Sequence, residues 1–311
     1  MTQALLADVG GTYCRLAVWD GSRPAQILKV PTDPDLLTKI VGFASKRCPA
    51  PTKLVLAVAG LQTGMHVKLT NAEVSLDLSA LAAAFPAADI SLLNDFEAAA
   101  AALERPPAVE LSFLQADQLS SGARLIVGVG TGLGVGLWTG QHALKTEGGH
   151  VAATPMSPAE REMFRSLRTR WPNVFMGEAD MVEVEALVSG IGLPKVYHAY
   201  SDVEGGNAKA DDAGAVMLLA QDGDSVALQA VATLSWHLGR LVGDLFVASW
   251  ATGGVILTGG VLTKNMWLLN HGFWSKLHAG GRYAGHRRSV PIALWDSDDI
   301  GLLGAGLSLS H

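Results

Sequence analysis

Cysteine is scarce in this sequence, and its two residues, Cys14 and Cys48, lie far apart. They lack the close spacing that zinc ligands show, and they are too few for a disulfide framework. This usage is typical of a reducing compartment, so we expect a cytoplasmic protein without structural zinc. Long apolar runs are missing too, since no stretch approaches the roughly 18 to 20 residues of a membrane span. We therefore expect no membrane partner.

Positive charge is also in short supply. The 311 residues carry a formal net charge of −6, whereas nucleic-acid binding usually requires a clustered basic face. The single concentrated basic stretch, residues 281–288, is predicted to be a solvated loop. The charge distribution therefore predicts a protein without a nucleic-acid partner.

The N-terminal segment MTQALLADVGGT has no basic region before its apolar residues, which is not typical of a signal peptide.

With 49% hydrophobic residues, the chain is long and apolar enough for two packed domains. Strand and helix signals alternate, which favours an α/β fold. A break at Glu-Arg-Pro-Pro, residues 104–107, predicts a linker. The predicted elements are, in order, an antiparallel meander of ALLADV, RLAVW and AQILKV, a helix at 36–46, a strand at 53–59, a helix at 77–85, a strand at 89–94, a hairpin at 124–138, a mainly helical region at 157–247, strands at 253–261 and in VPIALW, and a terminal helix.

Two glycine-rich turns follow strands, at Gly10-Gly11-Thr12 and at Gly130-Thr131-Gly132. Adjacent glycines expose backbone N–H groups to an anion, and threonine adds a hydroxyl donor. Either turn alone is also an ordinary hairpin turn, but the two together indicate a clamp for a polyphosphate. Asp8, just before the first turn, either caps that turn or holds Mg²⁺ through water. The spacing matches neither the Walker loop nor the dinucleotide fingerprint.

Three polar sets complete the candidate chemistry. Asn94-Asp95 lies between a predicted strand and an alanine-rich helix, so the pair is either a helix cap or a catalytic element. Glu147 and His150 flank two glycines, in an incidental loop or in a site that binds sugar hydroxyls. Glu185, if it lies on a helix, belongs by default to a solvated face.

Taken in order, these segments resemble one family, the bacterial-type glucokinases of the hexokinase, actin and heat-shock-chaperone ATPase superfamily. The resemblance covers nearly the whole chain. Its segments are ADVGGTYCRLAVWD, KLTN, LLNDFEAAAAAL, VGTGLGVGLW, TEGGHVAATP, EALVSGIGL, LTGGV and GLLGAG. The chain departs from the usual family residues at Tyr13, Val129 and Ile191.

The resemblance implies a two-lobed actin-like ATPase fold related to ribonuclease H, with a cleft between a small α/β domain (1–106 plus 298–311) and a larger α+β domain (107–297). It implies ATP-dependent phosphorylation of glucose at the 6-hydroxyl, with Mg²⁺ as cofactor, in a cytoplasmic homodimer. The implied residue roles are Asp95 as general base; Asn94, Asp95, Glu147, His150 and Glu185 as sugar ligands; Asp8, Gly10, Gly11, Thr12, Gly130, Thr131 and Gly132 for the phosphates and their metal; and Gly259 and Gly260 near the adenosine.

Three alternatives stay open at this point. The substrate of the kinase is another hexose or an amino sugar, the chain is a non-catalytic sugar sensor with the same pocket, or it is a structural ATPase of the actin type. The absence of a cysteine cluster, and of a segment before Met1 that would form a DNA-binding helix pair, disfavours the zinc-bearing repressors of the superfamily.

Overall fold

The structure is a computed structural model that describes residues 3–69 and 74–310. Residues 70 and 71, the end of the KLTN segment, lie outside the described residues. The strands are β1 (Ala4–Val9), β2 (Tyr13–Trp19), β3 (Pro24–Pro31), β4 (Lys53–Val58), β5 (Gly60–Thr63), β6 (His66–Leu69), β7 (Ser75–Asp77), β8 (Asp89–Asn94), β9 (Leu111–Gln115), β10 (Arg124–Val129), β11 (Leu133–Trp138), β12 (Ala143–Lys145), β13 (Ala152–Ala153), β14 (Val182–Glu183), β15 (Gly254–Thr258) and β16 (Ile292–Trp295). The α-helices are α1 (Leu36–Arg47), α2 (Leu78–Ala84), α3 (Asp95–Ala102), α4 (Pro158–Arg170), α5 (Gly192–Val203), α6 (Ala213–Gln221), α7 (Ser225–Ser249), α8 (Gly260–Thr263), α9 (His271–His278), α10 (Ala284–Ser289) and α11 (Ile300–Leu307).

The first sheet has the order β3-β2-β1-β4-β8. Strands β1, β2 and β3 pair antiparallel, which confirms the predicted meander. Strands β4 and β8 then add parallel to β1 and to each other, as expected from their apolar sequences. In this register Asp8 lies directly opposite Arg15.

The alanine-rich helix α3 is buried because helix α11 crosses it at close range. Residues 98–102, all alanine, are buried, and a Cβ on Gly304 of α11 would lie only 1.6 Å from the Ala98 carbonyl oxygen. Small residues on both helices therefore allow their backbones to touch. These contacts hold the terminal helix α11 against α3.

A second sheet has the order β12-β11-β10-β15-β16-β9. Strands β10, β15 and β16 run parallel, and β9 pairs antiparallel to β16 at one edge. Helices α4 to α7 account for most of residues 158–249, as the sequence predicts.

The chain divides into two compact units. Unit 1 comprises Met1–Ala108, Gly136–Thr146 and Ser297–His311, and unit 2 comprises Val109–Val135 and Glu147–Asp296. Unit 1 thus includes residues 136–146, which the sequence-based boundaries give to the larger domain. Those boundaries, 1–106 with 298–311 and 107–297, stay a prediction. Throughout the described ranges, we find no helix long and apolar enough to cross a bilayer.

The basic stretch at residues 281–288 is not the predicted solvated loop. It forms a short 3-10 helix, Gly281–Tyr283, followed by α10, and Arg287 is buried with 7% exposure. The Arg287 guanidinium donates to Asp244 Oδ1 at 2.8 Å. The prediction was wrong for the secondary structure and for Arg287, which has a carboxylate partner on α7, whereas Arg282 and Arg288 are exposed as predicted.

Candidate active site

Helix α3 begins with a reciprocal cap that fixes Asn94 and Asp95. Asn94 Oδ1 accepts from the N–H groups of Phe96 and Glu97 at 3.0 and 3.3 Å, and Glu97 Oε2 accepts from the Asn94 N–H at 3.2 Å. Asn94 is thus the N-cap, as preferred for this residue type, and Asp95 is the first residue of the helix. The cap uses the amide oxygen of Asn94, which leaves its NH₂ group for another partner.

Asp8 lies in a group of charged side chains within unit 1. Its carboxylate is 3.7 Å from the Arg15 guanidinium, which also contacts Asp298 at 2.9 Å. Burial raises the pKa of Asp8 to about 6; Arg15 opposes this, and the negative charges of Asp95, Asp299 and Asp298 add to it. Excess negative charge therefore surrounds Asp8. Its ion-pair partner is Arg15, on the strand that follows the first glycine turn.

The first glycine turn is closed by its own backbone. The Gly10 N–H donates to the Tyr13 carbonyl at 3.1 Å, and the Thr32 hydroxyl donates to the Gly10 carbonyl at 2.8 Å. The Gly10 N–H is consequently not available to an anion, contrary to the simplest form of the prediction. Gly11 and Thr12 provide the remaining N–H groups of this turn.

The second glycine turn is built in the same way and is tied to Glu185. The Gly130 N–H donates to the Gly132 carbonyl at 2.9 Å, and the Leu133 N–H donates to Glu185 Oε2 at 2.7 Å. Glu185 lies in a 3-10 helix, Val184–Ala186, directly after β14. It is therefore not on the solvated face of an α-helix, and the Leu133 N–H at the end of the second glycine turn binds one of its oxygens.

The Glu-Gly-Gly-His segment packs closely on β11. A Cβ on Gly149 would lie 2.1 Å from the Leu133 carbonyl oxygen, and one on Gly148 would lie 2.9 Å from the Val135 side chain. Only residues without a side chain fit this approach. The two glycines thus bring Glu147 and His150, at either end of the segment, beside the strand that leaves the second turn.

His150 has a carboxylate partner that sequence reasoning missed. Its Nδ1 lies 2.9 Å from Glu183 Oε2. The hydrogen bond to Glu183 raises the pKa of His150 above its ordinary value; burial opposes this shift, and the charges of Glu185, Glu183 and Glu147 support it. Glu183 alternates with the buried Val184 and with Glu185, but this local pattern does not link it to His150.

Glycine segments also converge beside the second turn. Gly259, with φ of 96°, would place a Cβ 2.4 Å from the Val129 carbonyl oxygen, and the Gly190 N–H donates to the Gly130 carbonyl at 2.8 Å. Gly190 also lines a cavity of about 550 Å³. The residues that line it are Arg170, Gly190, Ile191, Pro194, Lys195, His198, Asp211, Asp212 and Ala213.

The predicted site residues thus form two sets, one in each unit. Unit 1 holds Asp8, Gly10, Gly11, Thr12, Asn94 and Asp95, and unit 2 holds Gly130, Thr131, Gly132, Glu147, His150, Glu185, Gly259 and Gly260. Arg15, which faces Asp8, was missed as well. Its position opposite Asp8 follows from the register of the first hairpin and was available from the sequence.

Comparison with known proteins identifies the relatives of this chain. The sequence profile of the glucokinase family matches residues 5–311. A glucokinase of Nitrobacter hamburgensis is 31% identical over 315 residues, which cover 96% of this chain and 95% of the relative.

Solved structures agree with that match. The crystal structure of glucokinase from an Antarctic psychrotroph has a TM-score of 0.83 and 27% identity, and the match covers 100% of this chain and 99% of that one. The glucokinase of Balamuthia mandrillaris in complex with glucose has a TM-score of 0.79 and 20% identity, with 99% and 93% covered. The predicted fold class, a two-domain actin-like ATPase fold of α/β type, is confirmed. The chain belongs to the glucokinase family and is an enzyme of the hexose kinase type.

Proposed function

We propose that this protein transfers the γ-phosphoryl group of ATP to the 6-hydroxyl of glucose, with Asp95 as the general base. The observation that carries the proposal is that Asp8 and Asp95 both lie in unit 1, where the negative charge of Asp95 contributes to the raised pKa of Asp8. A kinase needs a group that accepts the hydroxyl proton, close to a group that holds the metal ion neutralising the phosphate charge. Asp95 and Asp8 are suited to these two tasks.

The environment of Asp95 suits a late proton transfer. Asp95 is the first residue of α3 and so lies at the positive end of the helix dipole. An ionised aspartate is a weak base, but the transition state of phosphoryl transfer is loose and the attacking hydroxyl keeps its proton until late. Positioning of the hydroxyl then contributes more than basicity.

The residues around Asp8 fit a divalent cation. Arg15 contacts Asp8 and Asp298, and the charges of Asp95, Asp299 and Asp298 add to the effect of burial in raising the pKa of Asp8. Within the described residues no set of three or more Asp, Glu, His or Cys side chains forms a complete metal site. Mg²⁺ usually takes one or two carboxylates and completes its shell with water and phosphate oxygens, so Asp8 alone is sufficient. When bound, Mg²⁺ would neutralise phosphate charge.

The sugar ligands we propose are Asn94, Glu147, His150 and Glu185, together with Asp95. For two of them the hydrogen bonds already present limit the atoms that remain for substrate. Asn94 offers its NH₂ group, because its oxygen caps α3, and Glu185 offers Oε1, because Oε2 binds the Leu133 N–H. A site of fixed donors and acceptors rejects sugars that leave these groups unpaired.

For the nucleotide, we propose that the N–H groups of Gly11, Thr12 and Thr131 bind phosphate oxygens. The cavity of about 550 Å³ at Gly190, adjacent to the second turn, is large enough for a nucleoside. Gly259 lies against Val129, just before the same turn, which supports the assignment of Gly259 and its neighbour Gly260 near the adenosine. Family membership further supports a cytoplasmic homodimer.

An ADP-release assay with a panel of hexoses tests the function. Glucose should give the highest kcat/KM, with mannose and glucosamine poorer and no ADP in the absence of sugar. A preference for another hexose would correct the substrate and keep the reaction. If glucose raised the melting temperature of the protein and no hexose released ADP, the protein would be a sugar sensor and the proposal would be wrong.

A further inference from the structure

Glu183 and His150 meet across a two-stranded ladder. Ala152 in β13 pairs with Glu183 in β14, and the Val184 N–H donates to the Val151 carbonyl at 2.9 Å. These backbone contacts fix the residues that follow His150 against the strand that carries Glu183. The backbone pairing thus brings the two side chains within reach, and His150 Nδ1 lies 2.9 Å from Glu183 Oε2.

The contact with Glu183 determines which imidazole nitrogen of His150 is protonated. A carboxylate only accepts hydrogen bonds, so Nδ1 of His150 must carry a proton and donate it to Glu183. Nε2 then has a lone pair when the ring is neutral and an N–H when the ring is charged. Without Glu183 the neutral ring would be able to adopt either tautomer, and its orientation would not be held.

We propose that Glu183 is a positioning residue for sugar binding, which holds His150 by Nδ1 so that Nε2 meets a sugar hydroxyl in a defined state. The inference rests on the proposed function, because it takes His150 as a sugar ligand. Glu183 acts through His150 and does not contact the sugar. It is also not among the residues to which the family resemblance assigns a role.

The charges around His150 give this arrangement a pH dependence. The ring faces Glu183 from β14, Glu185 from the following 3-10 helix and Glu147 from its own segment, and all three favour the imidazolium. The side chain of His150 is 47% exposed, so it titrates in contact with water. Removal of the Glu183 charge should move the titration of His150 to lower pH.

Two substitutions separate geometry from charge, and a third serves as control. Glu183→Gln keeps an oxygen that accepts from Nδ1 but removes the charge, whereas Glu183→Ala removes both. The control is Glu178→Gln, which also removes one negative charge from this region of the chain. Among the contacts that the structure describes, the side chain of Glu178 makes none with His150. Each protein is measured by calorimetric glucose binding between pH 6 and 9, by kcat and KM, and by NMR titration of the His150 ring.

We expect Glu183→Ala to weaken glucose binding about tenfold, the effect of one lost hydrogen bond, with kcat at saturating glucose within about twofold of wild type. Glu183→Gln should bind glucose nearly normally at pH 8 and shift both the His150 titration and the pH profile of binding to lower pH. Glu178→Gln should match wild type in each measurement.

The outcomes distinguish this inference from the proposed function. If wild type binds glucose but Glu183→Ala binds it as tightly as Glu178→Gln does, the role of Glu183 is refuted and the function stands. An unshifted His150 titration in Glu183→Gln refutes it equally, even if the alanine variant folds poorly. If the wild-type protein binds no hexose, the proposed function fails first.

Discussion

Replacement of Asn94 by alanine or serine separates its two tasks, the helix cap and the sugar contact. Asn94 Oδ1 accepts from the N–H groups of Phe96 and Glu97, and alanine leaves both without this partner. Loss of such a cap costs about 1 kcal/mol, which corresponds to a decrease of roughly 2 to 4 °C in melting temperature for a domain of this size. Serine is an equally good cap and also forms the reciprocal box with Glu97. We therefore expect Asn94→Ala to melt lower and Asn94→Ser to melt as wild type.

Sugar binding should follow a different order. Neither alanine nor serine provides the NH₂ group, so both variants lose the hydrogen bond that we assign to the sugar. A neutral hydrogen bond contributes about 0.5 to 1.5 kcal/mol, so glucose affinity should decrease by roughly two- to twelvefold in both. Calorimetric unfolding and glucose titration of the three proteins provide the measurement. Equal melting temperatures for the two variants would refute the cap, and wild-type affinity in Asn94→Ser would refute the sugar contact.

Two further predictions concern stability. Gly304→Ala should destabilise unit 1 by about 2 kcal/mol or more, because its Cβ would overlap the Ala98 carbonyl oxygen; Gly285→Ala, which has open space around it in α10, should leave the melting temperature unchanged or raise it, and equal effects would contradict the tight crossing. Hydrogen bonds from Arg170 and then from Ser166 lower the pKa of Asp202 to about 2, so this carboxylate stabilises the fold above the unfolded pKa of about 3.9 and that contribution is lost as the pH falls towards 2. Urea unfolding between pH 5 and 2 should show a weaker acid dependence for Asp202→Asn, and parallel curves would argue against it.

Local signals in the sequence were sufficient to predict most elements and the helix start at Asn94. The meander, the parallel strands and the glycine turns depend on neighbours in the chain, where propensity and turn chemistry act. The same reasoning failed for Glu185. The sequence around Glu185 suggests an α-helix, but the chain forms a short strand and a 3-10 helix there. The reason is that the backbone of residues 183 and 184 pairs with residues 151 and 152.

Contacts between distant residues were beyond the sequence. Asp298 contacts Arg15 only because α11 returns to the first sheet, and Glu183 meets His150 only because β13 and β14 pair. The burial of Arg287 depends in the same way on Asp244, 43 residues earlier in the chain. Such side chains can be identified as charged from the sequence, but their partners are set by the tertiary packing.

The assignment of Asp95 as general base is the central claim, and it is tested most directly by Asp95→Asn. Asparagine keeps the size of the side chain and removes its capacity to accept a proton. ADP release at saturating glucose and calorimetric glucose binding should be measured on the same preparation. We expect kcat to decrease by about two to four orders of magnitude, with glucose affinity within about threefold of wild type. Near-normal turnover by Asp95→Asn would contradict the assignment.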